Sequence, residues 1–175
     1  EPRQKPPFPV HVGLFGRPTV INNVETLATV PLIVRDGGAA WAKIGTKGSS
    51  GAKLFSVCGH VARPGVYEVE FGATLRQVLD LAGGVAGGCA LRAVLIGGAA
   101  GTFVGPDGLD LPLTFEGTRA AGVGLGSGAV IFLDTTADLG DLLARITRFF
   151  RDESCGQCVP CRVGSVRQEE ALARL

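Results

Sequence analysis

The chain has 175 residues, with 17 Lys and Arg against 16 Asp and Glu, a net charge of +1, and an apolar fraction of 46%. That balance excludes a disordered, charge-driven chain and a global basic field for nucleic acid. No apolar run approaches the ~20 residues of a membrane span, and the opening EPRQKPPFPV holds no signal-peptide core. Glycine, at 27 residues, is about twice its usual share of ~7% and follows no period of three, so it marks turns and close approaches rather than collagen. The sequence has no Met, and a helical pattern is still running at Leu175. Both point to an internal piece of a longer protein.

In chain order, Pro2, Pro6, Pro7 and Pro9 favour extended backbone, and Gly13, Gly16 and Pro18 punctuate a loop. A short helix is expected over Asn23–Val34. Asn22 or Asn23 caps it and Glu25 lies in its first turn, while Pro31 counts against it. Gly37 and Gly38 close this region, and Lys47–Gly51 is a candidate boundary. Lys53–Cys58 and Val66–Val69 read as strands joined through the turn Arg63-Pro64-Gly65. Thr74 caps a helix through Leu81 that puts Leu75, Val78, Leu79 and Ala82 on one face, and Gly83 and Gly84 stop it. Leu91–Ile96 is a further strand. The order suits a small mixed α+β module rather than a nucleotide-binding sheet. A glycine-rich stretch with a turn at Gly105–Gly108 leads to the buried-strand pattern Ala129–Asp134, which completes the module.

The last 38 residues change character, with six Arg and six acidic residues. Leu139, Leu142, Leu143, Ile146, Phe149 and Phe150 repeat at helical spacing, with acids at the start and Arg145, Arg148 and Arg151 at the end, both favourable to the helix dipole. Thr135 and Asp138 are expected as a capping pair. A second helix is expected from near Cys161.

Cys155, Cys158 and Cys161 form C-x2-C-x2-C within SCGQCVPCR. Thiolates at this spacing suit an iron–sulfur cluster, zinc, or a redox dithiol. Three ligands are one short of either closed metal site. The fourth is Cys58, Cys89 or a residue beyond Leu175. Cys58 and Cys89 otherwise read as small packed thiols. Arg162 either offsets cluster charge or is an ordinary surface charge. His60 and His11 read as turn, surface or structural residues rather than catalysts. Without a nucleophile or an acid–base pair, the middle module also allows a non-catalytic scaffold, and a fourth ligand within the chain would allow a zinc-binding module.

SCGQCVPCR resembles the [4Fe–4S] site of a family of NADH-oxidising flavin subunits: the 51 kDa subunit of respiratory complex I, the beta subunit of soluble NAD-dependent formate dehydrogenases, and the diaphorase subunit of NAD-linked hydrogenases. Residues 6–31, PPFPVHVGLFGRPTVINNVETLATVP, are similar to the segment closing that family's FMN domain. Residues 53–84 and LGSGAVIFLD at 125–134 look like its soluble-ligand-binding (SLBB) β-grasp domain. The resemblance implies an FMN-domain tail over residues 1–50, a ubiquitin-like β-grasp domain over 51–137, and the start of an iron–sulfur helical bundle over 138–175. It further implies that Asn22 and Asn23 approach FMN. Cys155, Cys158 and Cys161 would hold the [4Fe–4S] cluster, with the fourth cysteine beyond residue 175. NAD(H) and FMN would belong to the full-length parent, the glycine-rich cofactor loop lying upstream of Glu1, so this piece alone would be inactive.

The tail is closer in appearance to the formate dehydrogenase and hydrogenase versions than to complex I. The implied partners are a small thioredoxin-like [2Fe–2S] subunit and a large cluster-bearing subunit. The implied location is the cytoplasm, on the membrane face if the parent is complex I.

Overall fold

The computed structural model describes residues 4–174. Glu1, Pro2 and Leu175, named above, lie outside them. The chain divides into two compact units, one from Asn23 to Ala137 and one combining the residues up to Asn22 with those from Asp138 onward.

The Asn23–Ala137 unit is built on a five-stranded sheet of β1 (Ala52–Gly59), β2 (Gly65–Glu70), β3 (Leu91–Ile96), β4 (Thr102–Val104) and β5 (Ala129–Asp134), in the order β2-β1-β5-β3-β4. β1 and β5 run parallel, with Ser56 opposite Ala129. The other pairings are antiparallel. Sequence-adjacent hairpins thus flank a central β5, and the mixed α+β character expected of a β-grasp domain is present. Alternation along β1 buries Phe55 and Val57 and exposes Leu54 and Ser56. Phe55, Val57, Val94, Ile96, Val130 and Phe132 share one core with Leu75, Val78 and Leu79 of helix α3 (Leu75–Leu81). Thr74 opens α3 with a reciprocal capping box. The Gln77 N–H donates to Thr74 Oγ1 (3.3 Å), and the Thr74 N–H donates to Gln77 Oε1 (2.8 Å). Gly59 ends β1 at φ +87°, where an added Cβ would lie 2.2 Å from the Phe132 carbonyl oxygen, so only glycine fits.

Helix α1 (Val24–Asp36) runs through Pro31. The residue that counted against it costs the Leu27 carbonyl its i+4 donor without ending the helix. Three elements carry no clear sequence signal: α2 (Gly38–Trp41), the three-residue β4, and α4 (Phe115–Ala120). α4 has six residues with Gly117 among them, too short for a period to emerge. It is held by its cap, the Gly117 N–H donating to Thr114 Oγ1 (2.9 Å).

In the other unit, helices α5 (Leu139–Asp152) and α6 (Val159–Leu172) pack together. Glu169 of α6 accepts from both Arg148 (3.4 Å) and Arg151 (2.5 Å) of α5. Asp138 alone caps α5, accepting from the Asp141 N–H at 3.0 Å. Thr135, expected to share the cap, instead sits in the turn after β5, its N–H donating to the Ala90 carbonyl (2.9 Å). α6 begins two residues before Cys161, because Pro160 suits a first helical turn where its missing N–H has no partner to lose. Among the described residues, no helix is long and apolar enough to cross a membrane.

Candidate functional site

The cysteine motif spans the six residues between α5 and α6 and the first turn of α6. Cys155 lies in this connection, Cys158 is the N-cap residue of α6, and Cys161 sits in the first turn. All three thiols are free and exposed, so the motif is neither a disulfide nor part of a packed core. Gly156, at φ +76°, lets the chain reverse between the first two cysteines. Arg162 reaches back across the loop, donating from Nη1 to the Gly156 carbonyl at 2.7 Å. This contact ties the start of α6 to the loop between the first two cysteines. Ser154 Oγ lies 3.4 Å from Cys161 Sγ and accepts the Gly156 N–H at 3.2 Å. The Ser165 hydroxyl donates to the Cys161 carbonyl at 2.7 Å, fixing that turn of α6 from a buried position.

This arrangement bears on which group the thiols fit. A structural zinc ion needs its ligands to converge on one point, with sulfurs ~2.3 Å from the metal. Among the described residues, no three His, Cys, Asp or Glu side chains converge in that way. A [4Fe–4S] cluster takes one thiolate per iron, so its ligands stand apart around a larger body. A cavity of ≈ 400 Å³ is lined by Cys155 together with Gln4, Lys5, Pro6, Glu153 and Gln157. The N-terminal end of α6, where Cys158 is the N-cap, would offer positive potential to an anionic thiolate cluster. Three free, exposed cysteines on one loop and helix start are the chemistry a thiolate-bound cluster would use.

Asn22 and Asn23 stand at the start of α1, both exposed. Asn23 Oδ1 caps the helix, accepting from the Glu25 N–H (2.8 Å) and the Thr26 N–H (3.4 Å). Glu25 ties that helix to the sheet. Its carboxylate accepts the Leu54 N–H at 2.7 Å and the Lys53 ammonium at 3.0 Å. Partial burial pushes the Glu25 carboxyl up, but the Leu54 N–H and Lys53 outweigh it and hold the group below its ordinary range. Sequence reasoning assigns Glu25 only a dipole role, since its partners lie almost thirty residues away.

Cys58 lies exposed on β1 and Cys89 is half-buried before β3, each free and outside the motif. His11 is exposed, its backbone N–H closing a turn on Phe8. His60 is more than a bare turn residue. Its Nδ1 accepts the Asp134 N–H at 3.1 Å and lies 2.9 Å from Oδ1 of that buried carboxylate, which accepts from the Thr136 hydroxyl at 2.6 Å and the Thr136 N–H at 2.9 Å. Those Thr136 bonds, led by the hydroxyl, hold Asp134 below the usual carboxylate range, and His60 adds to the effect.

Comparison with known proteins matches two segments of the chain to described families. Residues 141–175 match the NADH-ubiquinone oxidoreductase-F iron-sulfur binding region, and residues 54–100 match the SLBB domain. Both matches are to segments found in NADH-oxidising flavin and iron–sulfur subunits, which the chain resembles over its length. It is 46% identical over 176 residues to the F subunit of NADH-quinone oxidoreductase from Mycobacterium tuberculosis, with 100% of this chain and 39% of the relative covered. Against the Rickettsia felis counterpart it is 41% identical, covering 99% of this chain and 42% of that one. The chain thus spans about two fifths of the length of the curated relatives it matches. Among solved structures, the crystal structure of NAD+-reducing [NiFe]-hydrogenase in the air-oxidised state superposes with a TM-score of 0.83 at 41% identity, covering 99% of this chain and 30% of that chain. Within this family segment, the SLBB match falls on the β1–β3 part of the sheet and the iron–sulfur match on α5 and α6.

Proposed function

We propose that this chain is the flavin-to-cluster segment of an NADH:acceptor oxidoreductase subunit, with Cys155, Cys158 and Cys161 as three ligands of a [4Fe–4S] cluster. The observation that carries the reading is three free thiols at the head of α6, within the stretch that matches the iron–sulfur binding region. When bound, the cluster would supply single-electron transfer next to a flavin that exchanges hydride with NAD(H). The residues of this chain hold and tune these groups. Gly156 and Arg162 shape the cluster loop, and the first turn of α6 offers positive potential. Asn22 and Asn23 approach the FMN, on an α1 that Glu25 fastens to β1. A fourth cysteine outside residues 1–175 completes the cluster.

On this reading, residues 1–50 are the end of an FMN-binding domain, 51–137 the SLBB β-grasp domain, and 138–175 the opening of the iron–sulfur bundle. The partners are a small thioredoxin-like [2Fe–2S] subunit and a large cluster-bearing subunit. The setting is cytoplasmic, peripheral to the membrane where the parent is a quinone reductase. The relatives reported above are named for NADH-quinone oxidoreductase and for NAD+-reducing hydrogenase. Neither name is that of a formate dehydrogenase, so formate is not part of the proposal.

The test is anaerobic purification of the intact subunit with iron and sulfide assays. Alanine at Cys155, Cys158 or Cys161 is expected to abolish the broad cluster absorbance. Alanine at Cys58 or Cys89 is expected to leave iron content unchanged. A colourless, zinc-containing protein, or iron lost equally from all five variants, would overturn the reading.

A further inference from the structure

Ser154 immediately precedes the first cysteine, yet its side chain turns toward the third. Its oxygen lies 3.4 Å from Cys161 Sγ, a normal separation for a hydrogen bond to sulfur. With a free thiol, either atom could be the donor. Two features decide the polarity once Cys161 is a ligand. A metal-bound cysteine is a thiolate and has no proton to give. The Gly156 N–H already donates to Ser154 Oγ at 3.2 Å, occupying an oxygen lone pair and leaving the hydroxyl hydrogen to point elsewhere. Cys161 is also firmly placed, since Ser165 holds its carbonyl at 2.7 Å and α6 holds its backbone. The acceptor therefore stays where Ser154 can reach it.

We propose that the Ser154 hydroxyl donates a hydrogen bond to the Cys161 thiolate and sets the reduction potential of the [4Fe–4S] cluster by stabilising its reduced form. The inference rests on Cys161 being a cluster ligand, as proposed above. Reduction adds negative charge that is shared onto the ligand sulfurs, so a donor aimed at one of them favours the reduced state more than the oxidised one. Losing the donor lowers the potential. Ser154 is a positioning and tuning residue here, since it touches a ligand and not a substrate.

The experiment compares wild type, Ser154→Ala and Ser154→Thr in the intact subunit, purified anaerobically. Iron and sulfide content is measured together with an EPR-monitored redox titration. Ser154→Ala is expected to keep its cluster but to show, at a fixed poise, about a tenfold lower ratio of reduced to oxidised cluster, which is ~59 mV for one electron. Ser154→Thr restores the hydroxyl and is expected to return the midpoint toward wild type. An intact cluster with an unchanged midpoint in Ser154→Ala overturns this inference and leaves the ligand assignment standing. Loss of the cluster from both Ser154 variants also overturns it, since the residue would then serve assembly rather than tuning. A wild-type subunit without a cluster overturns the ligand assignment itself.

Discussion

At the scale of single residues, the Asn23 side chain divides its two ends between different tasks. Its carbonyl oxygen accepts the Glu25 and Thr26 N–H groups at the head of α1, which leaves the amide nitrogen as the end able to donate outward. Aspartate at this position keeps the capping oxygen and loses the donor. Asn23→Asp is therefore expected to match wild-type stability in urea denaturation while lowering the FMN content of the intact subunit. Asn23→Ala should lower FMN content and also cost about 1 kcal/mol of stability through the lost cap. Equal flavin content in Asn23→Asp and wild type would remove Asn23 from the flavin contacts. The cap is legible in the sequence because an Asn two residues before a Glu at the start of an apolar stretch is a local signal. The Glu25 link to Leu54 and the His60 link to Asp134 are not legible, because both join residues far apart in sequence. Only the assembled sheet brings such partners into reach.

At the scale of elements, those whose pattern repeats or whose cap is explicit can be read from the residues alone. α3 declares itself through Thr74 and Gln77, and α5 through six apolar residues at helical spacing. β1, β3 and β5 show apolar runs bounded by small residues and turns. Elements of three to six residues, such as β4 and α4, have no room for a period, and their position comes from the strands and loops they pack on. Phe132 of β5 is fully buried at the centre of the sheet. Phe132→Ala is expected to destabilise the fold by about 3–5 kcal/mol, the transfer and cavity cost of a buried aromatic. The loss should appear as a lower denaturation midpoint in the fluorescence of Trp41, the single tryptophan. In the helical pair, Glu169 joins two arginines of α5 to α6. Glu169→Ala should lower the thermal stability of the helical circular-dichroism signal, and high salt should weaken the wild-type advantage because both arginines reach solvent.

At the scale of the whole molecule, several carboxylates act in one direction. Glu116 is held below its usual range by the hydroxyls of Ser49 and Thr46, at 2.6 and 2.7 Å. Asp134 is held low chiefly by Thr136. In Glu25, the Leu54 and Lys53 bonds prevail over burial. A carboxylate whose folded pKa lies below its unfolded value of about 4 contributes stability that is fully present above that value and is lost as pH falls through the folded pKa. The Asn23–Ala137 unit is therefore expected to keep a constant urea midpoint near neutral pH and to lose it progressively below about pH 4. Glu116→Gln, which keeps the shape and removes the charge, should flatten that acid limb in Trp41 fluorescence. An unchanged acid limb would show that the Ser49–Thr46–Glu116 cluster does not carry the effect.

The position of β5 has a consequence for how this protein comes to exist. The β1–β2 hairpin and the β3–β4 hairpin have no ladder between them, and β5 alone joins them, with Ser56 meeting Ala129 on one side and Ile96 meeting Val130 on the other. A chain emerging from the ribosome can close each hairpin early, but the sheet has no centre until residues 129–134 have been made. Pairing strands so far apart in sequence makes closure slow relative to local helix formation. Until it happens, the edges of both hairpins stand open to other chains, which makes synthesis of this segment the interval when aggregation threatens most.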